Sequence, residues 1–360
     1  MNLQDTLNNK EILNNKENIT ILTKEIVDNF FNKNPYAKTF IIPDSVTKIN
    51  FYAFNDCKSL KEITIPESVT EISNSAFYGC TNLKEITIPD SVTEIGDCAF
   101  YGCLNLTEIT IPESVTKIGE YAFKNCKNLE KITIPDSVTE IGNSAFDGCE
   151  NLKEITIPDS VTKIDIGAFL DCTNLTEITI PASVTEIGNS AFKNCTSLEK
   201  ITIPDSVTKI GGGAFSDCIN LTEINIPKSV TKIGNGAFDG CTNLKEITIP
   251  DSVTKIGIDA FYGCESLKDI TIPKSVTEIG NGAFYGCTNL KEIIFQNPPS
   301  LNQMKLGENA FSGCDLENIN ITFLDNELDK DDITNSIGDT KKDEKERAIN
   351  KKSRKGGNYE

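Results

Sequence analysis

Proline recurs at positions 43, 66, 89, 112, 135, 158, 181, 204, 227, 250 and 273, a step of 23 residues every time. The Ala53-Phe54 pair repeats with the same period to Ala283-Phe284, and Cys57 repeats likewise to Cys287. A further copy, at Ala310, Phe311 and Cys314, follows a four-residue insertion. A chain of 360 residues would ordinarily be divided into two or three globular domains. Strict repetition overrides that expectation, because an array grows by adding units that each contact only their neighbours.

The copy from Leu83 to Cys103 shows what one period encodes. Ile86 and Ile88 alternate with Thr87, the pattern of a short strand with one face inward, and Leu83 enters the same core. Pro89 ends the strand because it offers no N–H to a ladder, and Asp90-Ser91 follow as a turn. Val92-Thr93-Glu94-Ile95, β-branched at three of four places, reads as a second extended piece. Gly96 is expected to take a left-handed bend; Asn50, Ser73 and Asp165 stand in its column. Ala99-Phe100 then opens one helical or 3-10 turn, closed near Gly102-Cys103 and too short to stand without neighbours.

Stacking such coils turns every column into a ladder. Leu60 to Leu290, Ile63 to Ile293, Ile65 to Ile272, Val46 to Val276 and Phe54 to Phe311 all point inward. A period in the range of about 20–29 residues with leucine at fixed places marks a leucine-rich coil. The expected fold is therefore an α/β leucine-rich-repeat solenoid of short parallel strands with helical or 3-10 turns, in eleven to twelve coils. Its strands, about 4.8 Å apart, would form one continuous sheet roughly 50–60 Å long. No single coil offsets its own chain entropy; the repeated burial of Phe and Ile, at about 1.5–3 kcal/mol each, does so collectively.

Three regions follow. Residues 1–36 are expected to form an N-terminal helical cap, with an amphipathic helix from about Thr20 to Asn32 presenting Leu22, Ile26 and Phe30 to the open end of the array. Residues 37–323 form the solenoid, with an irregular last coil after Phe295-Gln296-Asn297-Pro298-Pro299 breaks the register. Residues 324–360 read as a charged tail in which order fades.

The formal net charge of −18 and the confinement of arginine to Arg347 and Arg354 argue against nucleic acid as a partner. No run approaches the length of a membrane helix, and the first thirty residues lack the apolar core of a signal peptide, so export by the usual route is not expected. Twelve of the thirteen cysteines share one column at uniform spacing, and the chain has no histidine. They read as small reduced hydrophobes beside the phenylalanines, with disulfide pairing along the stack as the alternative. Cys98 alone lies outside that column, where other copies carry Ser75, Ser144 or Gly213. The absence of histidine excludes any His-dependent triad, the paired carboxylates arise by repetition, and no phosphate-binding glycine loop occurs. No catalytic residue, cofactor or metal is expected.

The surface is where function would lie. Outward strand positions form a threonine column that includes Thr87 and Thr110. Beside it runs a mainly acidic column with Glu85, Glu108, Glu154 and Glu177, interrupted by Lys131 and Lys200. The charge order flips at Glu130-Lys131. Glu85, Thr87, Glu108, Thr110, Glu154 and Glu177 are one candidate contact surface, for a protein or a glycan. A second is a column holding Tyr78 and Tyr101 in adjacent coils and Tyr262 and Tyr285 further along, since tyrosine is favoured at interfaces. Without a partner the chain is expected to be a monomer.

The unit seen in Ile88-Pro89, Ser91-Val92-Thr93, Ile95-Gly96, Ala99-Phe100, Cys103 and Leu106 resembles that of the BspA-like leucine-rich-repeat family, over residues 37–323. The resemblance implies a non-catalytic binding or adhesion scaffold. Members in bacteria and parasitic protists are commonly surface proteins, and some bind host matrix proteins or other cells. It thus points to the cell surface or to secretion, whereas the lack of a recognisable leader points to the cytoplasm and to an intracellular interaction scaffold.

Overall fold

Each coil contributes two extended segments, and most of them pair in parallel with the equivalent segment of the next coil, 23 residues along the chain. The computed structural model describes residues 19–296, 304–316 and 318–323. Three-residue strands such as Glu62–Thr64 and Glu85–Thr87 pair in parallel, Ile63 opposite Ile86, and build a major ladder. Two-residue strands such as Lys48–Ile49 and Glu71–Ile72 build a minor one. In the major strands the central Ile is buried and its two neighbours are exposed, as alternation at period two requires.

Between the ladders lies a core of stacked columns. From Phe54 to Phe311 each ring lies parallel to the next, with centroids 4.9–5.5 Å apart and planes within 2–9°. The Leu, Val, Ala and Cys columns around them are almost wholly buried. The cysteine thiols from Cys80 onward donate to the carbonyl of the Phe in the preceding coil, for example Cys126 to Phe100 at 3.1 Å. All thirteen cysteines are free.

The segment after the minor strand, expected as one helical or 3-10 turn, has the i to i−3 bonds of a 3-10 turn but no continuous helix. It is a run of short turns, Ala99 N–H to Gly96 C=O, Tyr101 N–H to Cys98 C=O and Cys103 N–H to Phe100 C=O. Left-handed backbone interrupts it twice, at the column of Cys98 (φ 54°) and at that of Gly102 (φ 70°). A left-handed residue halts helix propagation. It also turns alternate N–H groups along the stack, so that Phe77 donates to Ala99 C=O and Phe100 to Ala122 C=O, both at 2.8 Å. These bonds form a third ladder, on the turn side. The expected left-handed bend at Gly96 is thus displaced: Gly96 is not among the residues with positive φ. Its glycine serves close approach instead, since a Cβ there would lie 2.6 Å from the backbone nitrogen of Asn74 in the preceding coil.

At the N-terminal end the helix α1 spans Lys24–Lys33, four residues later than expected. Ile21–Leu22 are not helical but pair with Lys48–Ile49 as the first strand of the minor ladder. Thr23, with extended backbone, starts the helix after them. The periodicity of Leu22, Ile26 and Phe30 is compatible with either state; the free edge of Lys48–Ile49 decides for strand. Phe30 meets Phe40 edge-on at 5.0 Å, and Phe40 meets Phe54 edge-on at 5.2 Å, which joins the helix to the aromatic column. At the other end Glu292–Phe295 pairs with Asn320–Phe323. Residues 1–18, the Pro298-Pro299 insertion and the charged tail from residue 324 lie outside the described residues.

One continuous sheet was the expectation, and it is corrected. The major ladder is divided after Glu85–Thr87, after Lys131–Thr133 and after Glu246–Thr248, the minor ladder after Glu140–Ile141.

Candidate binding surface

Glu85, Thr87, Glu108, Thr110, Glu154 and Glu177 all stand on the exposed face of the major ladder, as their alternation with buried Ile dictates. Glu154 and Glu177 are directly opposite one another, like the pair Glu62 and Glu85. Stacked carboxylates repel, at a cost that would be avoided if charge served only the ladder. The minor ladder comes closer to that arrangement, although Lys232 stands opposite Lys255. There Lys48 pairs with Glu71 at 2.7 Å, Lys117 with Glu140 at 3.3 Å, and Lys209 and Lys255 with Glu186 and Glu278. A hydrogen bond from Lys48 holds the Glu71 carboxyl below its ordinary range, and those from Lys209 and Lys255 do the same for Glu186 and Glu278.

The major face carries fewer such pairs. Among the described residues its ion pairs are Lys153 with Glu130 at 3.6 Å and Lys200 with Glu223 at 2.8 Å. Lys61 and Lys84 flank the acidic column without closing on it, so the face is striped rather than uniformly acidic.

Both strand ladders part together at one boundary, between the coil of Lys131–Ile141 and that of Glu154–Ile164. Here Asp165 stands in the column that glycine holds in most coils, its carboxylate 2.7 Å from Lys163. Asn143 donates its side-chain amide to Glu120 at 3.0 Å. In other coils the equivalent side chain accepts the next coil's N–H, as Asn189 does from Gly212 at 2.8 Å. The turn ladder runs through unbroken, with Ser144 donating to Ile166 C=O and Phe146 to Ala168 C=O at 2.8 and 2.9 Å. The coils therefore separate on the strand side only. The opening is a groove of about 350 Å³ lined by Lys131 to Ile134, Glu154 to Thr156 and Glu177 to Thr179. Glu154 and Glu177 were legible as candidates; Lys131, Thr133, Thr156 and Thr179 were not singled out. The reversal at Glu130-Lys131 and the Asp165 exception were the signals.

The tyrosines form a separate surface. Tyr78 stacks on Tyr101 with centroids 4.7 Å apart, and Tyr262 on Tyr285 at 4.9 Å, each ring half-buried. Burial and then the neighbouring Tyr101 push the Tyr78 hydroxyl above its usual range; Cys98, Asp56 and Tyr52 add to this, and no residue of the major strands takes part. Cys98, the one cysteine outside the buried column, has its pKa raised from 9.0 by partial burial and by Asp97 and Glu120, the reverse of activation.

Among the described residues no group of three or more His, Cys, Asp or Glu is placed to hold a metal ion, and no helix is long and apolar enough to cross a membrane.

Comparison with protein families matches the chain to the BspA type leucine rich repeat region over residues 24–153, 93–222 and 208–336. No curated protein matches it. Among solved structures it is similar to a leucine-rich repeat protein from Bacteroides ovatus. The two are 32% identical with a TM-score of 0.54, over 81% of this chain and 93% of that one. It is also similar to a leucine-rich cell surface protein from Faecalibacterium prausnitzii, 34% identical with a TM-score of 0.54, over 84% of this chain and 90% of that one. The pneumococcal vaccine antigen PcpA, 22% identical with a TM-score of 0.53 over 79% of this chain and 82% of its own, shares the fold.

Proposed function

Because the chain belongs to the BspA-type leucine-rich repeat family, we propose that it is a binding scaffold that engages a protein partner through the outer face of its major ladder, at the cell surface or outside the cell. The parallel solenoid is the architecture of an extended interaction surface, and among the described residues no group of His, Cys, Asp or Glu is placed to hold a metal ion. The observation that carries the choice of face is the stack of like charges at Glu62–Glu85 and Glu154–Glu177, beside a minor face with four Lys–Glu ion pairs among the described residues. Charge left unpaired on an exposed, rigid array is available to a partner. The surface location is supported by the similarity to the Faecalibacterium prausnitzii cell surface protein. On this reading α1 is the cap that covers the first coil, and the stacked tyrosine pairs are secondary contacts.

The test is capture of cell-surface and matrix proteins on the immobilised chain. A Glu85→Arg/Glu108→Arg variant is expected to lose the partner, while Glu94→Arg on the minor face keeps it; unchanged recovery with the double variant sinks the assignment. Tyr78→Ala/Tyr101→Ala reads the secondary contact in the same assay. Protease treatment of intact cells reads the location, and full protection of the native chain would contradict it.

A further inference from the structure

We infer that the groove where the two strand ladders part is a recognition site for an extended peptide segment that carries an acidic and a basic side chain close together. This rests on the reading of the major face as the binding surface, and narrows it to one place and one class of ligand.

Two lysines of the same column, Lys131 and Lys200, differ in their surroundings. Lys200 and Glu223 face each other across an intact ladder and close to 2.8 Å. Lys131 and Glu154 hold the equivalent positions one coil apart, but the ladder between them is open. Among the described residues neither has an ion-pair partner, and both line the groove. Lys131 also stands opposite Glu108 across an intact ladder without closing an ion pair, so its charge and that of Glu154 are left to a ligand. Glu177, directly opposite Glu154, adds a second carboxylate on that side.

The groove, at about 350 Å³, lies within the roughly 300–1,000 Å³ of small-ligand sites. Lys131, Glu154 and Glu177 follow one another across three strands, and Thr133, Thr156 and Thr179 form the parallel row two residues further along them. A ligand carboxylate on Lys131 and a ligand cation on Glu154 and Glu177 would form charge-assisted bonds. The parted strands add backbone groups along one direction, and an extended peptide is the ligand whose own N–H and C=O groups follow that direction. The threonine hydroxyls donate and accept, which suits a peptide backbone running over them.

The test measures fluorescence anisotropy of a labelled peptide, Ser-Gly-Lys-Ser-Asp-Gly-Ser, with the full chain at low ionic strength. Its counterpart with Gln and Asn in place of Lys and Asp serves as the uncharged probe. The charged peptide is expected to bind and the uncharged one to bind roughly tenfold more weakly or not at all. Lys131→Glu and Glu154→Gln are each expected to weaken binding roughly tenfold, and Lys200→Glu to leave it unchanged. Circular dichroism and urea midpoints establish that each variant is folded. Equal weakening by Lys131→Glu and Lys200→Glu would overturn the groove while leaving the major face as the binding surface. Failure of the wild-type chain to bind the charged peptide, or equal binding of the uncharged one, would likewise overturn it. If Glu85→Arg/Glu108→Arg also leaves partner capture untouched, the broader reading falls as well.

Discussion

A methyl group on Gly119 would stand 2.6 Å from the backbone nitrogen of Asp97 in the preceding coil. Gly119→Ala is therefore expected to cost about 1–3 kcal/mol, as overpacking does, read as a lower urea midpoint. The left-handed columns are more tolerant, because Asp and Asn occupy them in several coils: Asn125 and Asp171 share the φ of Gly102 to within about 12°. The cysteines give a second residue-scale prediction. Burial pushes the Cys57 and Cys126 thiols up to about 12, so thiolate is scarce at neutral pH. In the folded chain Cys98 and Cys314, both partly exposed, should take up a thiol reagent first, and the eleven buried cysteines only on unfolding. Rapid labelling of all thirteen under native conditions would contradict this packing.

The turn segment between Ile72 and Cys80, with its equivalents, is tied to the next coil by side chains that accept backbone N–H groups. Asn74 accepts from Asp97 at 3.0 Å and Asn235 from Ile258 at 3.0 Å. Ile258 has no acceptor to offer Asn281 and is itself 46% exposed. Ile258→Asn should supply the missing bond and raise stability by about 0.5–1.5 kcal/mol, with slower hydrogen exchange at the Asn281 amide. At the N-terminal end, Phe30→Ala removes the ring that covers Phe40 and is expected to cost about 3–5 kcal/mol, with dye binding at the uncovered end. The helix itself was legible from its apolar spacing. Its start was not, because Ile21-Leu22 satisfies both a helical and a strand pattern until the edge of Lys48–Ile49 is in place.

The whole molecule behaves as a one-dimensional stack in which each coil is stabilised by its neighbours. Its pH response belongs to this scale. Glu71, Glu186 and Glu278 have folded pKa values below the ordinary 4.5, held there by Lys48, Lys209 and Lys255. A carboxyl depressed in the folded state contributes stability above its unfolded value and loses it as pH falls through the lower folded one. The urea midpoint should therefore decline below about pH 4.5, and Glu71→Gln/Glu186→Gln/Glu278→Gln should flatten that decline. An unaltered profile in the triple variant would remove the minor face as its source.

Periodicity at 23 residues, with β-branched residues at alternating places, was enough to establish the solenoid, its inward columns and its buried cysteines. Each of those features depends only on neighbouring coils being alike, and likeness is visible in the chain itself. The parting of the ladders at Lys131 and Glu154 depends on how two particular coils sit against each other. The loss of the Gly96 bend to its neighbours depends on contacts 23 residues away. Those distances exist only once the coils are stacked, so the tertiary structure alone decided where a regular array becomes irregular enough to single out one place.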